Sequence, residues 1–267
     1  MKQYKELLKD ILENGTKKSN RTGIDTYSIT GAMLSHDLRE GFPLLTTKFV
    51  SAKNVFTELE GFIKGINSKQ WYKDRKCFIW NDWCNPVKVP YANDNETKAK
   101  MAKEDDLGRI YGVQWRKWTK TKFVGYDKRF GNLFEQETVD QLQNVINTLK
   151  KDPTNRRMLV NAWNPAELDQ MALPPCHYSF QIISDGKYVD LLYNMRSNDI
   201  PLGCPYNLAF YAMLLKLIAA EVNMIPRKLI AFLADCHIYE NQLDGVREQL
   251  KREERPLPKL ELLDSFT

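Results

Sequence analysis

Residues 178–222 read YSFQIISDGKYVDLLYNMRSNDIPLGCPYNLAFYAMLLKLIAAEV. Stretches 178–184 and 188–195 are rich in β-branched and aromatic residues, and Asp185-Gly186 between them is turn chemistry, so together they predict a β-hairpin. Residues 206–222 then turn apolar around the whole helical circumference, which predicts a buried helix. Lys216 interrupts that run, and it falls short of the roughly 18 apolar residues of a membrane span. An apolar stretch at 229–236 predicts a further buried strand. Strands gathered around one core helix point to an α+β fold.

Working outward, residues 4–12 place Tyr4, Leu7, Leu8, Ile11 and Leu12 at helical spacing, and Asn14-Gly15 stops that helix. Residues 26–38 alternate as a strand, and 55–66 return to helix. Residues 139–149 carry Leu142, Val145, Ile146 and Leu149 on one helical face, closed by Asp152-Pro153. Residues 158–163 predict a strand and 238–251 a helix. The polar segment 85–106 holds two prolines and no period, so it is expected to be a surface insertion without chemistry. With no internal repeat or low-complexity linker, the 267 residues are expected to form one domain.

A hydrophobic content of 43% with 27% charged residues argues against disorder. The net charge of +5 is scattered, so a nucleic-acid surface is not demanded, and a small anionic substrate explains it equally well. Five cysteines without CxxC spacing suggest reduced thiols, and three histidines without ligand spacing leave no expected metal site. The amino terminus lacks an apolar signal core, so a cytoplasmic protein is expected.

Chemistry is expected at LPPCHYSFQ, where two prolines fix the chain ahead of Cys176 at the mouth of a predicted strand. A lone cysteine is usually a small core residue. An attacking thiol, however, needs positive charge nearby, and arginines in turn or strand-end motifs supply it: Arg21 in NRTG, Arg156 and Arg157 in TNRRM, and Arg196 beside Ser197 in NMRSND. Arginines so placed also suit a phosphate.

The ordered set NRTG, GFPLLTTK, IWNDW, DLGRIYGVQW, DPTNRRM, NAWNP, DQMALPPCH, RSND, PYN and HIYEN resembles the thymidylate synthase family along nearly the whole chain. The resemblance implies one thymidylate-synthase-like domain over residues 1–267, with a mixed β-sheet flanked by helices and packed sheet to sheet in a homodimer. It implies transfer of a one-carbon unit from 5,10-methylenetetrahydrofolate to C5 of dUMP. Cys176 would add to C6 of the pyrimidine. Arg21, Arg196 and Ser197 would hold the phosphate, joined by Arg156 and Arg157 from a second subunit. His237 and Tyr239 would meet the deoxyribose hydroxyl. Glu58 would relay protons through water, and Tyr111 would assist loss of the C5 proton. Trp80, Trp83 and Asp199 would line the folate site. Asn207 would select the base, since an amide offers one donor and one acceptor to uracil where an aspartate would suit cytosine.

The chain also departs from that family. It stops at LELLDSFT, where the family continues through a tail that closes over the site and excludes water. Met195 stands in place of glutamine, Gln242 in place of histidine and Gly61 in place of tryptophan. These departures favour a dUMP hydroxymethylase, in which water captures the transferred carbon, with a thymidylate synthase as the alternative. A nucleotide- or RNA-binding protein without turnover is the remaining class, and Cys176, Glu58 and Tyr111 speak against it.

Overall fold

The computed structural model describes residues 1–263. In chain order the elements are α1 (Lys2–Asn14), β1 (Thr16–Lys18), β2 (Thr26–Asp37), α2 (Ala52–Lys64), α3 (Lys69–Asp74), α4 (Asn95–Lys103), α5 (Tyr111–Arg116), β3 (Trp118–Asp127), β4 (Gly131–Val139), α6 (Gln141–Lys151), β5 (Leu159–Asn161), β6 (His177–Ser184), β7 (Tyr188–Asp199), α7 (Gly203–Glu221), β8 (Ile225–Tyr239) and α8 (Leu243–Lys251). Six strands form one sheet in the order β1-β2-β8-β7-β6-β5. Only β7 and β8 run parallel, because α7 carries the chain back across the sheet between them. The sheet is therefore mixed, and the fold is α+β.

The apolar run of α7 is explained by its burial: Leu208, Phe210, Tyr211, Leu214 and Leu215 are all sealed inside. It is long and apolar enough to cross a membrane by composition, yet it packs as the core helix against β7, β8 and α2. Burying a large apolar side chain of this kind contributes about 1.5–3 kcal/mol. Among the described residues, the opposite face of the sheet carries no helix over its middle. There the register aligns Met33 with Phe232, Phe232 with Asn194 and Asn194 with Ser179, and Met33 and Phe232 stay exposed.

Three regions differ from the sequence expectations. Strand β8 continues through His237 to Tyr239, and the helix expected from 238 begins only at Leu243. The ladder with β2, which pairs Thr26 with Tyr239 and Tyr27 with Ile238, carries the strand on through these residues, and Ile238 and Tyr239 suit a strand by propensity. Segment 85–106 is not plain loop: it contains α4, and Met101 is buried. Finally, β3 and β4 form a separate two-stranded ribbon whose Phe123 and Phe134 pair edge to face while staying exposed. The sequence signals for it are the TKTK alternation and the turn at Asp127, whose carboxylate accepts the N–H groups of Arg129 and Phe130.

Candidate active site

Cys176 sits one residue before β6, where a bulge between His177 and Ser179 breaks the register with β7. Such a bulge re-aims side chains at a strand end. The Arg196 backbone N–H donates to the Cys176 carbonyl at 2.9 Å. The Arg196 guanidinium donates to the carbonyls of Pro175 and Pro174 at 2.8 and 2.9 Å, and its Nη2 lies 3.7 Å from Sγ. The two prolines thus lend carbonyls that pin the cation beside the thiol. Burial pushes the thiol up from its ordinary range, while Arg196, Arg21 and the Tyr111 hydroxyl pull it back toward thiolate. A bound phosphate would share those two arginines.

The floor is aromatic. Tyr111 accepts the Cys176 backbone N–H at 2.8 Å, and its ring stacks on His177 at 4.2 Å and on Phe62 at 4.9 Å. Burial holds the Tyr111 phenol well above its usual range, so it stays an O–H donor. His177 was not among the expected residues, although it directly follows Cys176. Its Nδ1 lies 2.8 Å from the Tyr211 hydroxyl, and burial lowers its pKa to about 3, so the imidazole stays neutral. Glu58 comes from α2, half-buried beneath this floor. Desolvation raises its carboxyl to about 7, and the neighbouring Trp80 indole pulls it partly back. A carboxyl with that pKa can both give and take a proton near neutrality.

The parallel ladder of β7 with β8 brings two further motifs together, aligning Ser197 with Asp235 and Asp199 with His237. Ser197 lies next to Arg196, and His237 is buried with Nδ1 3.0 Å from Asp235 Oδ2. Tyr239 follows at the end of β8, with its phenol raised by burial and facing Thr22 and Arg21 of the NRTG loop. Asn207 lies in the first turns of α7, half-buried, and its amide makes no hydrogen bond among the described residues. Gly203 opens the space before it: a methyl there would stand 3.6 Å from Asn207 Oδ1.

Trp80, Trp83 and Asp199 are the remaining expected residues. Trp80 is buried with its indole near the Glu58 carboxyl, and Trp83 is half-buried. Asp199 accepts the Leu202 N–H and the Gln242 amide, each at 2.9 Å, which orients its carboxylate and leaves lone pairs for a flat ligand's N–H groups. Gln242 also accepts the Tyr239 N–H at 2.9 Å, so the glutamine found in place of histidine is a positioning side chain. Gly61 has a packing reason as well, since a Cβ there would meet the Tyr72 hydroxyl at 2.3 Å and the buried Tyr72 ring fills that volume. Met195 accepts the Asn198 amide N–H at 3.0 Å, but a thioether cannot donate, and Asn198 Oδ1 is left buried without a partner.

Arg156 and Arg157 stand apart from the other expected site residues. Both are exposed before β5, beside Gln181 and Ile182 of β6. Gln181 and Ile182 are five and six residues along the strand from Cys176, or about 17–20 Å at the usual rise. An opening of about 870 Å³ lies elsewhere, between α2, α6 and α7, and is lined by Phe56, Ile63, Leu142, Met213, Leu217 and Leu263. It holds none of the residues grouped around Cys176. Among the described residues, no three His, Cys, Asp or Glu side chains converge as a metal site would require.

Known proteins are similar to this chain along its length. The family description Thymidylate synthase matches residues 2–267. The thymidylate synthase of Pseudomonas syringae pv. tomato is 38% identical over 287 residues, covering 99% of this chain and 87% of the relative. That of Pseudomonas putida is also 38% identical, with the same coverages. That of Mesoplasma florum is 41% identical over 281 residues, covering 98% of this chain and 89% of the relative. With the family's pattern matched from end to end, and its motifs brought around one cysteine by the β6–β7–β8 ladder, the chain belongs to the thymidylate synthase family.

Proposed function

We propose that this protein converts dUMP to dTMP with 5,10-methylenetetrahydrofolate, using Cys176 as nucleophile. The observation that carries the reading is the cysteine itself, held between the Arg196 guanidinium at 3.7 Å and the Tyr111 hydroxyl on its own N–H. The reduced folate supplies the carbon unit and the hydride that completes a methyl group. Trp80, Trp83 and Asp199 would hold it, the rings by stacking and the carboxylate by accepting N–H groups.

Arg21, Arg196 and Ser197 bind the nucleotide phosphate in this reading, while His237 and Tyr239 bind the sugar hydroxyl. Asn207 reads uracil, and its uncommitted amide supports that role. Attack by the Cys176 thiolate on C6 makes C5 carbon-nucleophilic. Glu58 moves protons through water to the base, and Tyr111 takes part in removing the C5 proton. The open sheet face supports a homodimer, and Arg156 and Arg157, too far from Cys176 within one chain, would complete the partner's phosphate site.

The sequence departures favoured capture of the carbon by water, giving 5-hydroxymethyl-dUMP. Two of them now have local packing reasons at Gly61 and Gln242. Relatives 38% and 41% identical carry the name thymidylate synthase and support hydride transfer better. Incubation with dUMP and methylenetetrahydrofolate should release dTMP and dihydrofolate, seen as the dihydrofolate absorbance rise. Release of 5-hydroxymethyl-dUMP with tetrahydrofolate would return the case to the hydroxymethylase. If 5-fluoro-dUMP given with the folate leaves no covalent mass on Cys176, the nucleophile assignment falls.

A further inference from the structure

Tyr91 belongs to segment 85–106, which the sequence marks as an insertion without chemistry. Its ring stacks on Trp83 with centroids 5.8 Å apart and planes 14° from parallel. The Arg21 guanidinium carbon lies 5.7 Å from the centroid of the same ring. One side chain of the insertion therefore touches a residue assigned to the folate site and one assigned to the nucleotide phosphate. Among the described residues no carboxylate pairs with Arg21, whose charge also reaches Cys176 and Tyr239.

The insertion is held firmly enough to transmit such a contact. Lys69, 1% exposed, donates its ammonium to the carbonyl of Asn81 at 3.2 Å and to that of Met101 at 2.6 Å. The first carbonyl lies in the turn that carries Trp80 and Trp83, and the second in α4. Asp106 closes the other end, accepting the Asn85 amide at 2.8 Å and the Gly108 N–H at 2.7 Å. The Tyr91 hydroxyl donates to Asn93 at 2.9 Å, which leaves the ring faces for contact.

We propose that Tyr91 couples the two substrate sites, so that nucleotide and reduced folate each tighten the binding of the other. The inference rests on the functional reading above. A guanidinium placed over an aromatic ring leaves N–H groups for a phosphate, and fixing it there restrains the ring. The restrained ring in turn fixes Trp83 as a stacking surface. Whichever ligand arrives first orders the side chains the second would otherwise have to order, and the coupling must be reciprocal.

The test measures dissociation constants of dUMP and of tetrahydrofolate, each alone and with the other saturating, for the wild type, Tyr91→Phe, Tyr91→Ala and Tyr91→Leu. The wild type should show mutual tightening of at least about fivefold, equal in both directions. Tyr91→Phe should keep that factor, whereas Tyr91→Ala should bring it below about twofold with dUMP affinity alone little changed. Tyr91→Leu keeps apolar bulk without a π face and should behave as Ala does, which keeps the test decisive if the Ala chain folds poorly. A wild type without mutual tightening, or Ala and Leu variants that retain it, overturns the coupling while leaving the proposed function standing. A wild type that binds neither ligand overturns the functional reading and the coupling with it.

Discussion

The floor around Cys176 and the rim around Tyr91 are held by different means. On the floor, Tyr111, His177, Phe62 and Tyr211 are buried, stacked and hydrogen-bonded to one another, and Glu58 is desolvated beneath them. At the rim, Tyr91 is 46% exposed, and its contacts to Trp83 and Arg21 are single ring contacts near the outer distance for such interactions. A packed floor keeps its groups at fixed positions and fixed pKa values, as bond-making requires. A rim of solvated contacts can shift by a few tenths of an ångström as ligands come and go, which suits binding and its coupling. Substitutions on the floor should thus act on turnover, and substitutions away from it on affinity.

The sharpest separation is expected from Glu58→Gln. Its kcat should fall by about 10²–10⁴, because an amide cannot relay protons, while the KM for dUMP changes little. The same variant should be more stable above neutral pH. The folded-state pKa of Glu58 is raised to about 7 from 4.5, so the native state holds an extra proton between those values and wild-type stability is lost as pH rises through that window. Thermal or urea unfolding at pH 8 should show the glutamine variant ahead by at most about 3 kcal/mol, with the gap closing below pH 4.5. A variant no more stable than wild type at pH 8 would mean that Glu58 is better solvated than its place beneath the ring stack indicates.

Asn207→Asp should move selectivity more than rate. The ratio of kcat/KM for dUMP over dCMP should fall by at least about tenfold, since the carboxylate accepts a hydrogen bond from an amino group and repels a carbonyl. Unchanged selectivity would place base recognition elsewhere. The smallest effect is expected from Arg157→Ala, which lies well away from Cys176 along the strand. The KM for dUMP should rise about fivefold to tenfold at constant kcat, through loss of one charge-assisted phosphate contact. Unaltered kinetics would remove the partner-subunit assignment and leave Arg157 as a solvated surface charge.

Much of the floor is legible in the chain, because its elements are short-range patterns. The Asp185-Gly186 turn, the apolar circumference of 206–222 and the proline pair before Cys176 each announce their structure within a few residues. His237 and Tyr239 are different. The sequence expectation ends the strand at 236 and starts a helix at 238, and pairing with Ser28 and Thr26 across the sheet is what keeps both residues extended. Tyr91 is less legible still. It lies in a polar, proline-containing stretch, and its value comes from where Lys69 and Asp106 fasten that stretch. The residues that depart from the family pattern divide in the same way: Gly61 makes sense only with the Tyr72 ring over it, and Gln242 only with Asp199 at its amide.

By itself, then, the amino-acid order determined the α+β class and singled out Cys176 and the arginines proposed to serve it, because hydrophobic period, turn chemistry and motif spacing are properties of neighbours along the chain. The tertiary structure alone decided that Arg156 and Arg157 lie far from Cys176 within one chain, that His177 is a neutral partner of the floor, and that Tyr91 stands between Trp83 and Arg21. Those facts depend on strand register and on the burial of groups distant in sequence, which no local pattern encodes.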